Sequence, residues 1–201
     1  GWNPGTTQEL FTMEELIAAF SLERVGKAGA KFDPDKTKWF QQQYLRSTPN
    51  EELAAQLSEV LENKYDVSRL TTVCHLMKER ATFIQDIATE GAYLLERPTS
   101  YDEQTVSKKW KEDTGSLMME WKTNLEALST FDHDSVENAF KSFLEAKGMG
   151  IGAVLPNFRL LITGTGMGPS MFEIAAFLGK EECLERMNQG LTKIEALKKQ
   201  A

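Results

Sequence analysis

The chain has 201 residues, 41% of them hydrophobic and 26% charged, a balance that supports one or two folded cores and excludes disorder along its whole length. Lysine plus arginine is 23 against 30 aspartate plus glutamate, and the resulting net charge of -7 speaks against a nonspecific nucleic-acid coat. No apolar run approaches the roughly 20 residues that cross a bilayer, and Gly1 to Gly5 has neither the basic start nor the apolar stretch of a secretory signal.

The missing initiator Met reads as a trimmed piece, and two cysteines, Cys74 and Cys183, give no disulfide framework, which fits a reducing compartment. A cytoplasmic location without membrane contact is the expectation.

Met13 to Phe20 spaces apolar residues three and four apart, and Thr12 with Glu15 forms a capping box, so a helix is predicted there. Asp33 followed by Pro34 predicts a second start, carrying Trp39, Phe40, Tyr44 and Leu45. Thr48 and Pro49 precede a helical stretch from Glu51 to Lys64, and Ser68 opens another with Leu70, Val73, Leu76, Met77 and Ile84. Arg97-Pro98 interrupts the pattern and is the expected internal boundary, because proline disfavours helical geometry in the residue before it. Beyond it, helices are expected from Glu103 to Lys111, around Leu117 to Leu128, and from Ser135 to Lys147, the last ended by Gly148 as a left-handed cap. Pro169 opens a closing set through Phe177, then Glu181 to Asn188 and Leu191 to Lys199. Only Leu160 to Thr163 could pass for a strand, so the predicted architecture is all-α, with no fixed-period repeat.

Catalytic and metal chemistry finds no foothold in the residue pattern. Cys74 and His75 are neighbours on a predicted helix, where side chains diverge by about 100° and rarely close on one metal. No metal site is expected, and neither His75 nor His133 has a nucleophile or carboxylate partner that would make a triad. Two glycine runs, Gly148 to Ala153 and Gly164 to Pro169, resemble phosphate-binding loops, but such a loop needs a strand before it, and Ala139 to Lys147 is helical in pattern. Charge is unevenly placed: Arg24 to Arg46 holds six basic and two acidic residues, net +4, which leaves -11 on the rest. That segment reads either as a phosphate-binding face or as a solvated lysine-rich surface.

Gly1-Trp2-Asn3-Pro4-Gly5, then Phe11, Glu14 to Ile17, Phe20 and Leu22 to Val25, then Phe32-Asp33, Lys36, Trp39 and Tyr44 to Arg46, come in an order that resembles the carboxy-terminal half of bacterial glutamyl-tRNA synthetases. The ending, Pro156 to Arg159, Thr163-Gly164, Gly168-Pro169, Phe172-Glu173 and Leu178 to Glu181, is similar to that family's closing motif. The resemblance implies a stem-contact segment at 1-47 and two helical anticodon-binding subdomains at 48-98 and 99-201. It also implies that tRNA(Glu) is the partner, with no DNA involved and the chain a monomer. The glutamate-activating fold, with its ATP and magnesium, is implied to lie upstream, so this chain itself needs no cofactor and is not a complete enzyme.

The resemblance assigns Arg80 to the third anticodon base, and Arg159 with Gly168, Pro169, Ser170 and Met171 to the first two. It assigns the stem contacts to Arg24 to Arg46, with Lys27, Lys36, Lys38 and Arg46 as the candidates for phosphate and ribose. Gln41 and Gly26 depart from the Asn and Ser common in the family. Read from the residues alone, Arg80 is an exposed helix arginine or pairs with Glu79 or a nearby carboxylate, Arg159 is as readily an interior-facing buried ion pair as a base contact, and Trp39 and Tyr44 belong to the core rather than to stacking on nucleotides. The competing reading of the whole chain is an acidic helical protein-protein scaffold, for which its charge and the methionines Met118, Met119 and Met149 would argue.

Overall fold

Local hydrogen-bond acceptors set the helix starts in the computed structural model, which describes residues 1-29 and 31-198. Thr12 accepts from the Glu15 amide while the Glu15 carboxylate accepts from that of Thr12, opening α1 (Met13–Ala19). After a 3-10 turn at Leu22–Arg24, the Asp33 carboxylate accepts from the Asp35 and Lys36 amides and opens α2 (Pro34–Ser47). Helices α3 (Asn50–Val60), α4 (Val67–Met77), α5 (Ile84–Glu90) and α6 (Ala92–Leu95) follow, then α7 (Glu103–Lys109), α8 (Thr114–Ala127), α9 (His133–Lys147), α10 (Ile151–Thr163), α11 (Met171–Leu178) and α12 (Lys180–Lys198). Among the described residues no strand forms beyond an isolated Trp2 to Val25 bridge, and no helix is long and apolar enough to cross a membrane.

Several boundaries differ from the sequence expectation, each for a local reason. Helix α3 stops at Val60 rather than reaching Lys64, because Glu62 and Asn63 take left-handed φ values of 53° and 57°. Helix α4 begins at Val67, with Asp66 as its cap accepting from the Ser68 amide, so Ser68 lies inside the first turn. The same helix ends at Met77. The chain turns through Lys78 to Phe83, and the Asp86 carboxylate restarts it as α5 by accepting from the Thr82 and Phe83 amides at 2.9 and 2.8 Å. Arg80 therefore sits in a turn and not on a helix. Leu160 to Thr163 is the last turn of α10.

At the end of the chain, α12 runs unbroken where two helices are predicted; Lys199 lies outside the described residues. Gly190 does not break it: a Cβ there would come within 2.7 Å of Leu161 Cδ2, so the glycine lets α12 lie against α10 while costing about 1 kcal/mol in helix propensity.

Buried side chains from Leu45 in α2 to Ile194 in α12 form one apolar cluster. Near its middle Trp121 meets Phe140 and Phe158 edge to face, with ring centres 5.0 and 5.5 Å apart, and Phe143 at 5.4 Å. Cys74 and Cys183 are free and buried, and burial pushes their thiols up to about 11 and about 12. The amino-terminal segment is built differently. Helix α1 buries none of its side chains, and Trp2 packs on Phe11 and Phe20 in a small aromatic group of its own. Helix α2 buries only Leu45, so Trp39 and Tyr44, expected in the core, are 40% and 55% exposed.

Candidate nucleic-acid interface

The loop between α10 and α11 is held from both sides. Gly164 caps α10 at φ 74°, where a Cβ would press into Ser100 O and Pro98, and its carbonyl accepts from the Asp102 amide at 2.8 Å. Thr165 Oγ1 donates to Met167 O at 2.7 Å, and Ser170 caps α11. Beneath this loop lies Arg159, 9% exposed, whose Nη2 donates to Pro169 O at 2.6 Å while Nη1 has no partner. A Cβ on Gly168 would stand 2.8 Å from that Nη1 and 3.1 Å from the Tyr93 hydroxyl, so glycine is what lets the loop close over both groups.

Arg80 is exposed on the α4-α5 turn and close enough to act electrostatically on both Tyr93 and Arg159. Burial lowers the Arg159 guanidinium from its ordinary value; the Tyr93 oxygen opposes that shift and the Arg80 charge adds to it. Burial likewise raises the Tyr93 phenol, with both arginines opposing. Among the described residues neither arginine forms an ion pair. Arginine stays protonated, so these are two cationic forks, one buried, with donors left over. They suit a ligand edge that offers acceptors.

The predicted site residues thus divide. Arg159, Gly168 and Pro169 come together and Tyr93 joins them, its hydroxyl reaching Met77 Sδ at 3.6 Å, so that Arg80 lies on the turn that follows that end of α4; Tyr93 was missed because Tyr93-Leu94-Leu95 reads as a plain apolar run. Arg159 is buried as its residue pattern suggests, but with a carbonyl and not a carboxylate. Met171 is 1% exposed, so its side chain faces the core and only its backbone is near the loop. Met167, 80% exposed at the loop tip, is the methionine that faces outward there.

Of the basic candidates, Lys27 and Lys38 are exposed and unpaired among the described residues. Lys36 pairs with Glu9 at 2.8 Å and lies over the Phe40 ring. Arg46 donates to Glu79 O at 2.8 Å and sits 3.3 Å from the Glu79 carboxylate. It therefore ties α2 to the turn that carries Arg80. Gln42 adds a second tie, donating to Thr82 Oγ1 at 3.0 Å. Trp39 and Tyr44 stand on the same helix with their rings partly exposed, Trp39 meeting Phe40 edge to face at 5.1 Å.

Elsewhere, His133, Asp134 and Glu137 place three donor atoms within 4.8 Å of one another at the start of α9, where the Asp134 carboxylate raises the His133 pKa. Both glycine runs follow helices, Gly148 being the left-handed cap of α9 at φ 61° and Gly164 that of α10, so neither is a strand-to-helix phosphate loop.

The fold is thus an all-helical body with a buried arginine beneath the α10-α11 loop and an exposed one on the α4-α5 turn. The anticodon binding domain family model matches residues 52–191, and the chain belongs to that family. It is also 40% identical over 195 residues to the glutamate–tRNA ligase of Cytophaga hutchinsonii, covering 95% of this chain and 38% of that protein. With the glutamate–tRNA ligase of Phocaeicola vulgatus it shares 41% over 201 residues, 98% of this chain and 39% of that one. The crystal structure of a glutamate tRNA ligase from Elizabethkingia meningosepticum in complex with its amino acid superposes with a TM-score of 0.89 at 36% identity, covering 96% of this chain and 39% of that one. The chain thus spans about two fifths of the length of the relatives it matches.

Proposed function

We propose that the chain reads tRNA(Glu) through its anticodon and stem, as the carboxy-terminal part of a monomeric, cytoplasmic glutamyl-tRNA synthetase. One observation carries this: in a fold of the anticodon-binding family, Arg159 and Tyr93 meet under the Gly168-Pro169 loop, Arg159 with an unpaired donor, while the Tyr93 hydroxyl reaches Met77 Sδ at the end of α4, just before the turn that exposes Arg80, and no carboxylate pairs with either arginine. An unpaired anticodon base offers its Watson-Crick edge, and a guanidinium donates two parallel bonds to acceptors on that edge. Arg80 takes the third base; the Gly168-Pro169 loop, with Arg159 holding it from beneath, takes the first two. ATP, magnesium and glutamate belong to a catalytic domain of the parent enzyme, and no chemical step is carried by these residues.

Anticodon stem-loop RNAs with cytosine or guanine at the third anticodon position test the reading by fluorescence anisotropy. Cytosine presents O2 and N3 acceptors to Arg80, whereas the N1-H and N2-H2 of guanine are donors that face it, a mismatch of about 1-3 kcal/mol. The Arg80→Gln variant is expected to lose most of that preference while binding the guanine RNA as before. An equal loss on both RNAs would refute the base assignment.

Stem contacts fall to Lys27 and Lys38, with Lys36 and Arg46 partly engaged inside the protein and Trp39 and Tyr44 beside them. Phosphate contacts release counterions without reading sequence, so Lys27→Ala with Lys38→Ala should weaken whole-tRNA binding uniformly and flatten its salt dependence by about two charges. An unchanged slope would make this segment a solvated surface.

A further inference from the structure

Arg186 of α12, at 2% exposure, is the most enclosed charged residue described, and the reading above gives it no role. Its Nη1 donates to Tyr93 O at 2.6 Å and to Ile162 O at 3.0 Å, and its Nη2 donates to Glu96 O at 3.2 Å. Those carbonyls lie at the ends of α6 and α10, where helices leave acceptors without partners, so one guanidinium caps two helices at once. Tyr93 belongs to one side of the arginine cluster. Ile162 lies about one turn beyond Arg159, which belongs to the other.

The orientation of Arg186 is itself fixed. Its Nε donates to Glu182 Oε1 at 2.7 Å, and Arg97 grips the same carboxylate from outside, with Nε at 3.0 and 3.1 Å from its two oxygens and Nη2 at 2.7 Å from Oε2. Chiefly through Arg97, the Glu182 carboxyl is held below the usual carboxylate range. Stability alone does not call for such an arrangement, since a buried ion pair seldom outperforms apolar packing of similar volume.

We propose that Arg186 is a positioning residue: it fixes the separation between the Arg80-Tyr93 side, carried by α4 to α6, and the Arg159-Gly168 side, carried by α10 and α11, so that both engage one RNA loop together. The inference rests on the proposed roles of Arg80 and Arg159. Rigidly joined contacts make the second binding event intramolecular, and a looser join lowers the effective concentration of the second contact without altering either one.

The test uses this chain and the two stem-loop RNAs already named. Arg186→Lys keeps the charge but loses the fork, and is expected to weaken the cytosine RNA about 10-fold while leaving the guanine RNA, which engages one side only, within about 2-fold. A purely structural role predicts equal loss on both RNAs through a smaller folded fraction, and that outcome, or no loss on the cytosine RNA, overturns the proposal. Should Arg186→Lys lose its helical circular dichroism, Glu182→Gln takes its place, being 26% exposed and leaving the carbonyl contacts of Arg186 intact; a cytosine-selective loss of about 3-fold is expected from it. Arg80→Gln separates the two levels. If it abolishes the base preference while the Arg186 and Glu182 variants weaken both RNAs equally, only the positioning role falls; if it leaves the preference intact, the assignment of Arg80 falls and the positioning role with it.

Discussion

Truncating Trp121 to alanine should remove about 3-5 kcal/mol of stability, a large part of the roughly 5-15 kcal/mol that holds a typical domain. Its ring is fully buried and in contact with three phenylalanines, from α9 and α10, so the lost area leaves a cavity bounded by Phe140, Phe143 and Phe158. Urea titration followed by circular dichroism reads this directly, and the thermal midpoint should fall by on the order of 10 °C. The indole N-H has no partner. Trp121→Phe therefore relieves an unsatisfied donor while losing volume, and is expected to cost less than about 1.5 kcal/mol. If the alanine variant cost no more than the phenylalanine one, the aromatic cluster would not be the centre of the fold.

The second large effect is expected at Gly168. An alanine methyl there would lie 2.8 Å from Arg159 Nη1, and the guanidinium has little room to retreat because its other nitrogen is bound to the neighbouring Pro169 carbonyl. The fork must rotate, and if Arg159 holds RNA as proposed, misaligning that charged contact costs about 1.5-3 kcal/mol, roughly 10- to 100-fold in affinity. Overall stability should also fall, by about 1-3 kcal/mol, because the methyl overpacks against a buried group, so the binding loss is to be read at a temperature well below the melting point where the variant is fully folded. Anisotropy with the cytosine stem-loop together with a thermal melt distinguishes the two quantities; a lower melting point with unchanged affinity in the folded protein would assign Gly168 to folding rather than to recognition.

The helical architecture was legible because its signals are short-range. Thr12, Asp33 and Gly148 act within four residues of themselves, and each cap forms as the sequence indicates. The α4-α5 turn was not legible for the opposite reason: Leu76, Met77 and Ile84 keep helical spacing across it, no glycine or proline marks it, and the restart depends on Asp86, three residues ahead of the cap position. Gly190 misleads in the other direction, since its small size serves a helix neighbour distant in sequence and not a break. Charge placed Lys27 and Lys38 on the surface correctly. It could not show that Lys36 and Arg46 turn toward Glu9 and Glu79, because ion pairing depends on how α2 sits against its neighbours. Tyr93 was invisible among apolar neighbours until the fold brought its hydroxyl beside Gly168.

The unpaired Nη1 of Arg159 sets a trade-off for anyone who optimises this fold. Measured by stability alone, position 159 favours a side chain such as leucine or methionine, which would fill the space without desolvating a charge. If Arg159 has the recognition role proposed for it, selection for heat resistance would drift away from function at this position, as it does wherever a functional group is held in surroundings that disfavour it. Thermostable variants of the domain should be sought at other positions, with Arg159 and Gly168 held fixed.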